Sequence, residues 1–188
     1  HFGVLASEKV FVSRDYHFNK VKTFHHMMDE RTQEEPRAWD LEGATHRAGF
    51  KIEELVEFVR AASPSEENFG QAVSQLHQAL DKAADKVAKK TPAQEDLVGQ
   101  VDALIDTLYF TYGSFVLMGV DPERIFDIVH QANMGKIFPD GKAHFDPVTH
   151  KILKPDDWEE KYAPEPAIKK ELQRQLKAYE RHKERNEQ

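Results

Sequence analysis

Residues 101–120, VDALIDTLYFTYGSFVLMGV, constrain the fold of this chain more than any other stretch. Between Ala103 and Val120 there is one charged residue, Asp106, and Asp102 lies just upstream. At about 100° per residue, Val101, Leu104, Ile105, Leu108, Tyr112 and Phe115 share the main face. Phe110 and Leu117 lie beyond the aspartates, on the far side. A helix apolar on nearly every side predicts burial against other helices. The run is almost long enough to cross a bilayer, but Asp106, two glycines and scattered hydroxyls favour a helical core.

The rest of the chain supplies helices to bury it. Phe18, Val21, Phe24 and Met28 space an amphipathic helix over 16–31, and Pro36 breaks the loop that follows. Ile52, Leu55, Val59 and Ala62 stripe a second helix over 43–62. Ser65 is placed to cap a third, with Phe69, Val73, Leu76, Leu80, Ala83 and Val87 in steps of three and four. Thr91, Pro92 and Gln94 form a capping box for the fourth helix, which runs to Met118 and ends on Gly119. Asp121-Pro122 opens a fifth helix that runs to Met134. Residues 136–164 are rich in turn signals, and HFDPVTHKIL reads as a short hairpin. Ile168, Leu172, Leu176 and Tyr179 stripe a charged C-terminal helix over 165–188. The expectation is an all-α antiparallel bundle of four to five core helices. It forms one domain over 1–188, with its helical core at 16–135.

Composition narrows the chemistry. The 188 residues include no cysteine, which excludes thiol catalysis, Cys-zinc sites and disulfides and fits a cytoplasmic setting. The opening HFGVLASEKVFV does not read as a secretory signal. A net charge of -7 argues against a nucleic-acid binder, although a bound divalent metal would still admit a nucleotide substrate. None of the ten histidines sits in an HxxxH or HExxH pair. His25 could approach a nucleobase, but reads more simply as a surface or packing residue. No GxxxxGK[ST], GxGxxG or GxSxG motif occurs.

Acidic residues remain. On the helix KIEELVEFV, Glu53, Glu54 and Glu57 cluster opposite the apolar stripe, which by itself describes a solvated face. Asp102 and Asp106, four apart, fall on one flank of the apolar helix. Two carboxylates in low dielectric share a proton, pair with a base such as Arg47, or hold a hard cation. If the glutamates face them, four or five carboxylates converge, and Mg²⁺ with a phosphate-bearing substrate becomes the natural occupant. Glu95 lies on the same flank, two turns away. Asn133 and Lys136 end the fifth helix ahead of the Asp140-Gly141 turn and Lys142, where lysine could meet a polyphosphate or simply the helix dipole.

EELVE at 53–57, DALIDTLYFTYG at 102–113, GVDP at 119–122 and HQANMGK at 130–136 occur in order over 16–158. Together they resemble the all-α NTP pyrophosphohydrolase superfamily, the MazG-like proteins, and within it the branch related to dimeric dUTPases. The resemblance implies a tight homodimer or higher homo-oligomer that binds Mg²⁺, with Mn²⁺ as an alternative. It implies water attack on a nucleotide α-phosphorus, yielding a monophosphate and pyrophosphate. Glu54, Glu57 and Asp106 match metal ligands, and Glu53 matches a base for the water. Tyr109, Asn133 and Lys136 match positions near the nucleotide and its phosphates. The second motif departs from E-x-x-D: position 103 is Ala, so Asp102 stands in as the partner acid. The extra helix between the motifs, within 62–95, is a second departure. The expected activity is Mg²⁺-dependent hydrolysis of an NTP or dNTP, dUTP or a non-standard nucleotide included. A non-catalytic nucleotide- or protein-binding module of the same fold is the alternative.

Overall fold

The computed structural model describes residues 13–29, 31–92 and 95–188. Seven helices account for most of them: α1 (Tyr16–Met28), α2 (Leu41–Ala62), α3 (Glu66–Ala88), α4 (Asp96–Met118), α5 (Glu123–Met134), α6 (Trp158–Tyr162) and α7 (Glu165–Glu187). The chain is all-α, as its periodicity required. The helix ends show why. Asp15 accepts from the Phe18 N–H, Asp40 from Gly43 and Ser65 from Asn68, each satisfying an N-terminal donor that the helix cannot. At the end of α4, Gly119 adopts φ +70°. Its N–H donates to Val116 O and that of Val120 to Phe115 O, a left-handed stop that favours glycine.

Some helix starts differ from expectation; α2 begins at Leu41, ahead of residue 43. α4 begins at Asp96, with Thr91 and Pro92 ahead of it in irregular backbone. Gln94, the other half of the expected capping box, lies outside the described residues. α5 begins one residue later than the Asp121-Pro122 cap implied, at Glu123 with Pro122 in the N-cap position and no side-chain cap; the Asp121 carboxylate accepts from Glu123 N–H at 3.0 Å.

The chain divides into two compact units, one of residues 1–34 and 110–188, the other of residues 35–109. In the first, α1 and α7 each pack on α5. His17 stacks on Phe126 at 4.0 Å, and Lys20 pairs with Asp127 at 2.6 Å. The Gln175 amide clasps the start of α5, accepting from Asp121 N at 3.0 Å and donating to Asp121 O at 2.8 Å. In the second unit α2 packs on α3. Gln100 makes the same kind of two-way clasp with the backbone of Trp39, at 2.8 and 3.0 Å.

The turn-rich segment condenses into two tight features. Gly141, at φ +78°, closes a loop in which Phe138 stacks on His144 and Asp140 pairs with His144 at 2.7 Å. The expected hairpin reduces to a single antiparallel bridge, Phe145 to Ile152. Its turn is held by the Asp146 carboxylate, which accepts from Val148 and Thr149 N–H.

Burial corrects one expectation. Among the described residues only Ala132, Trp158 and Glu171 are buried. α4 is not enclosed within the chain: Leu104, Ile105 and Leu108 are about half exposed and Leu117 is 90% exposed. Periodicity was a sound guide to which surfaces are apolar. It does not say how much of each face the other helices cover.

Candidate active site

The second unit carries the acids. On α2, Glu53, Glu54 and Glu57 are exposed, and so are Ile52, Leu55 and Phe58 of the apolar stripe. α4 presents Asp102 and Asp106, also exposed. Asp102 is the one polar residue lining a shallow depression formed with Leu97, Val98, Val101 and Ile105. Among the described residues, neither aspartate forms an ion pair. Arg47, weighed as their counter-ion, instead places its guanidinium over the Phe50 ring at 5.5 Å. Of the three alternatives for the two aspartates, this arrangement does not show pairing with Arg47.

The two acidic clusters do not form one ligand set here. Among the described residues, no group of three or more His, Asp or Glu is gathered closely enough to hold a metal ion. The donor chemistry nevertheless fits a hard cation. Every candidate ligand is a carboxylate oxygen, and the chain has no thiolate. Tyr109, 77% exposed, ends the acidic flank of α4 within this unit.

The first unit carries the cations. Asn133 is part-exposed in the last turn of α5, and Lys136 follows it after the helix ends. This end is firmly built. Gly135 lies under the Tyr162 ring, where a Cβ would come within 2.6 and 2.7 Å of Cδ2 and Cδ1. The Trp158 indole N–H donates to Ala132 O at 2.7 Å, satisfying a carbonyl that the ending helix leaves open. The Lys136 and Lys154 ammoniums lie 5.8 and 4.2 Å from the Trp158 ring centroid. One turn back, partial burial and the nearby Lys20 ammonium push the His130 pKa down, partly countered by Asp127. Sequence reasoning missed Trp158, Tyr162 and Lys154. A tryptophan in the polar run KPDDWEE was the only available signal that something there is tied down.

The acids of α2 and α4 and the lysine-bearing end of α5 lie on an all-α chain, an arrangement that several classes of protein share. Comparison identifies which one. The family model for phosphoribosyl-ATP pyrophosphohydrolase matches residues 21–133, more than half of the chain, and the chain belongs to that family. The match spans all three glutamates, both aspartates, Tyr109 and Asn133; Lys136 lies just beyond it. The crystal structure of a "putative NTP pyrophosphohydrolase" from Exiguobacterium sp. 255-15 is similar at 38% identity, with a TM-score of 0.80 over 89% of this chain and 99% of that one. No curated protein matches significantly. The chain is a nucleotide pyrophosphohydrolase of the MazG-like superfamily. Among the described residues, no helix is long and apolar enough to cross a membrane.

Proposed function

We propose that the chain hydrolyses the α–β anhydride of a nucleoside triphosphate in a Mg²⁺-dependent reaction, releasing monophosphate and pyrophosphate. One observation carries the reading: the ordered acids of α2 and α4 stand exposed, chemically suited to a hard cation, inside the stretch matched by the pyrophosphohydrolase family. Glu54, Glu57, Asp102 and Asp106 would hold Mg²⁺, with Mn²⁺ the alternative; bound there, it would acidify water and offset phosphate charge. Glu53 takes a proton from the water that attacks the α-phosphorus. The new O–P bond forms as the bridging bond to the β-phosphate breaks. Lys136 stabilises charge on the leaving pyrophosphate, Asn133 donates to phosphate oxygen, and Tyr109 lies beside the nucleotide.

Phosphoribosyl-ATP, named by the family, and an NTP, named by the Exiguobacterium protein, share the same anhydride. We favour an NTP or dNTP, dUTP or a non-standard nucleotide included. A panel containing all of these, scored for monophosphate and pyrophosphate, decides the substrate. Glu53→Gln is expected to lower kcat by about 10²–10⁴-fold. Alanine at Glu54 or Asp106 is expected to abolish pyrophosphate release with helical circular dichroism intact. Retained turnover in the Glu54 and Asp106 variants would sink the assignment.

The working form is a homo-oligomer, a dimer at least. The exposed apolar side chains of α4, with Ile52, Leu55 and Phe58 of α2, form more unshielded hydrophobic surface than a soluble monomer carries. A cysteine-free enzyme of this kind suits the cytoplasm. A second reading rests on the scattered acids: a non-catalytic module that binds nucleotide or a partner protein. Thermal stabilisation by Mg²⁺ and nucleotide without pyrophosphate release would favour it.

A further inference from the structure

Among the described residues, Trp158 is the one buried aromatic ring. It is 7% exposed, its ring N–H is bonded to Ala132 O, and its backbone N–H donates to Pro155 O at 3.0 Å. Two lysines converge on it from separate parts of the chain. Lys136 comes from the end of α5. Lys154 comes from the return arm of the bridged hairpin, just before the Pro155 turn. Both ammoniums lie within cation–π range of one ring. Asp157, the adjacent acid, is occupied by Lys161 at 2.7 Å, and Lys154 itself forms no ion pair among the described residues.

A cation over an aromatic face is held weakly, and a charge-assisted hydrogen bond to phosphate is stronger. An arriving polyphosphate can therefore draw the Lys154 ammonium from the ring at small cost, while the ring limits how far it strays, and Lys136 adds a second positive charge beside it. Two positive charges converging on one fixed group match an anion with charge on two adjacent phosphates better than one with a single phosphate. We infer that Trp158 positions Lys136 and Lys154 as a two-cation receptor for the diphosphate moiety, making Lys154 a further phosphate-binding residue. This rests on the pyrophosphohydrolase reading for its role in turnover, though not for the binding itself.

The test is titration calorimetry with inorganic pyrophosphate on the full chain, beside steady-state kinetics with the best nucleotide of the panel. Lys154→Gln is expected to weaken pyrophosphate binding about tenfold or more, Lys154→Arg to restore most of it, and Lys169→Gln on α7 to change nothing. Trp158→Phe keeps a ring but loses the anchoring N–H, so KM should rise while kcat moves less than twofold. Unchanged pyrophosphate affinity in Lys154→Gln, or no binding by the wild type, overturns the receptor; unchanged KM in Trp158→Phe overturns the positioning role. If pyrophosphate binding depends on Lys154 but no nucleotide is hydrolysed, the receptor stands and the proposed reaction falls.

Discussion

Gly135→Ala tests the build of the lysine-bearing helix end most directly. Gly135 sits at φ -65°, ψ -12°, a conformation alanine adopts freely. Any cost must therefore come from space, not from backbone strain. The added Cβ would overlap Cγ, Cδ1 and Cδ2 of Tyr162, the ring atoms nearest its own backbone rather than the far end of a flexible side chain. Overpacking of this kind costs about 1–3 kcal/mol. For a chain of this size that lowers Tm by roughly 2–12 °C. The background should reverse the sign. In Tyr162→Ala the obstruction is gone, and Gly135→Ala should then be neutral or stabilise by up to about 1 kcal/mol, because alanine restricts the unfolded chain. Thermal melts of the four proteins in this cycle supply the coupling energy. Equal destabilisation by Gly135→Ala in both backgrounds would refute the steric argument. Because Lys136 follows directly, Gly135→Ala should also raise KM in the nucleotide assay.

Two further expectations concern carboxylates. Glu171, 8% exposed, is gripped by Arg174 at 2.6 and 3.0 Å and by Gln175 at 3.0 Å, with Arg124 at 3.6 Å. These contacts, the Arg174 hydrogen bond first, lower its pKa from 4.5 to about 2. A depressed folded pKa means the unfolded state binds the proton sooner. The stabilisation is therefore complete above about pH 4.5 and is lost as pH falls towards 2. Glu171→Gln should flatten the fall of Tm over that window relative to wild type; parallel curves would show that the contact is not linked to stability. Asp29, also lowered to about 2, titrates in the same range, so the difference between the two proteins is the quantity to read. Asp102→Ala should raise the Mg²⁺ concentration needed for half-maximal activity if Asp102 is a ligand, and leave it unchanged if Asp106 acts without it.

Most helices were legible because each is stated locally. Ser65 and its glutamates, the three-four spacing of α3 and the Gly119 stop need no distant contact to be read. The start of α4 was not, because a cap pattern permits a helix without requiring one, and the chain begins it at Asp96 instead. α2 also starts earlier than its apolar stripe suggested, since Asp40 caps it and Trp39 packs where a Gly43 side chain would stand. The acids could be named from their type and spacing, and their exposure could not, since Asp102 and Asp106 read as flanks of a buried helix and stand exposed. Their grouping was not legible either, because periodicity says which way a residue points from its own axis and nothing about which helix comes to meet it. The Trp158 to Ala132 bond spans 26 positions and left no local trace beyond an aromatic among charges.

The first unit is assembled from two separated pieces of chain, and this bears on how the protein is made. α1 packs on α5, yet all of 35–109 is synthesised between them. At ribosomal speeds of about 5–20 residues per second, α1 waits roughly 5–20 s for its partner to emerge. A thirteen-residue helix is marginal alone in water. His17, which stacks on Phe126 of α5, and Lys20, which pairs with Asp127, are thus without those contacts during that interval. The second unit is contiguous and closes its own α2–α3 pair from short-range contacts, so it can mature first and the first unit completes last.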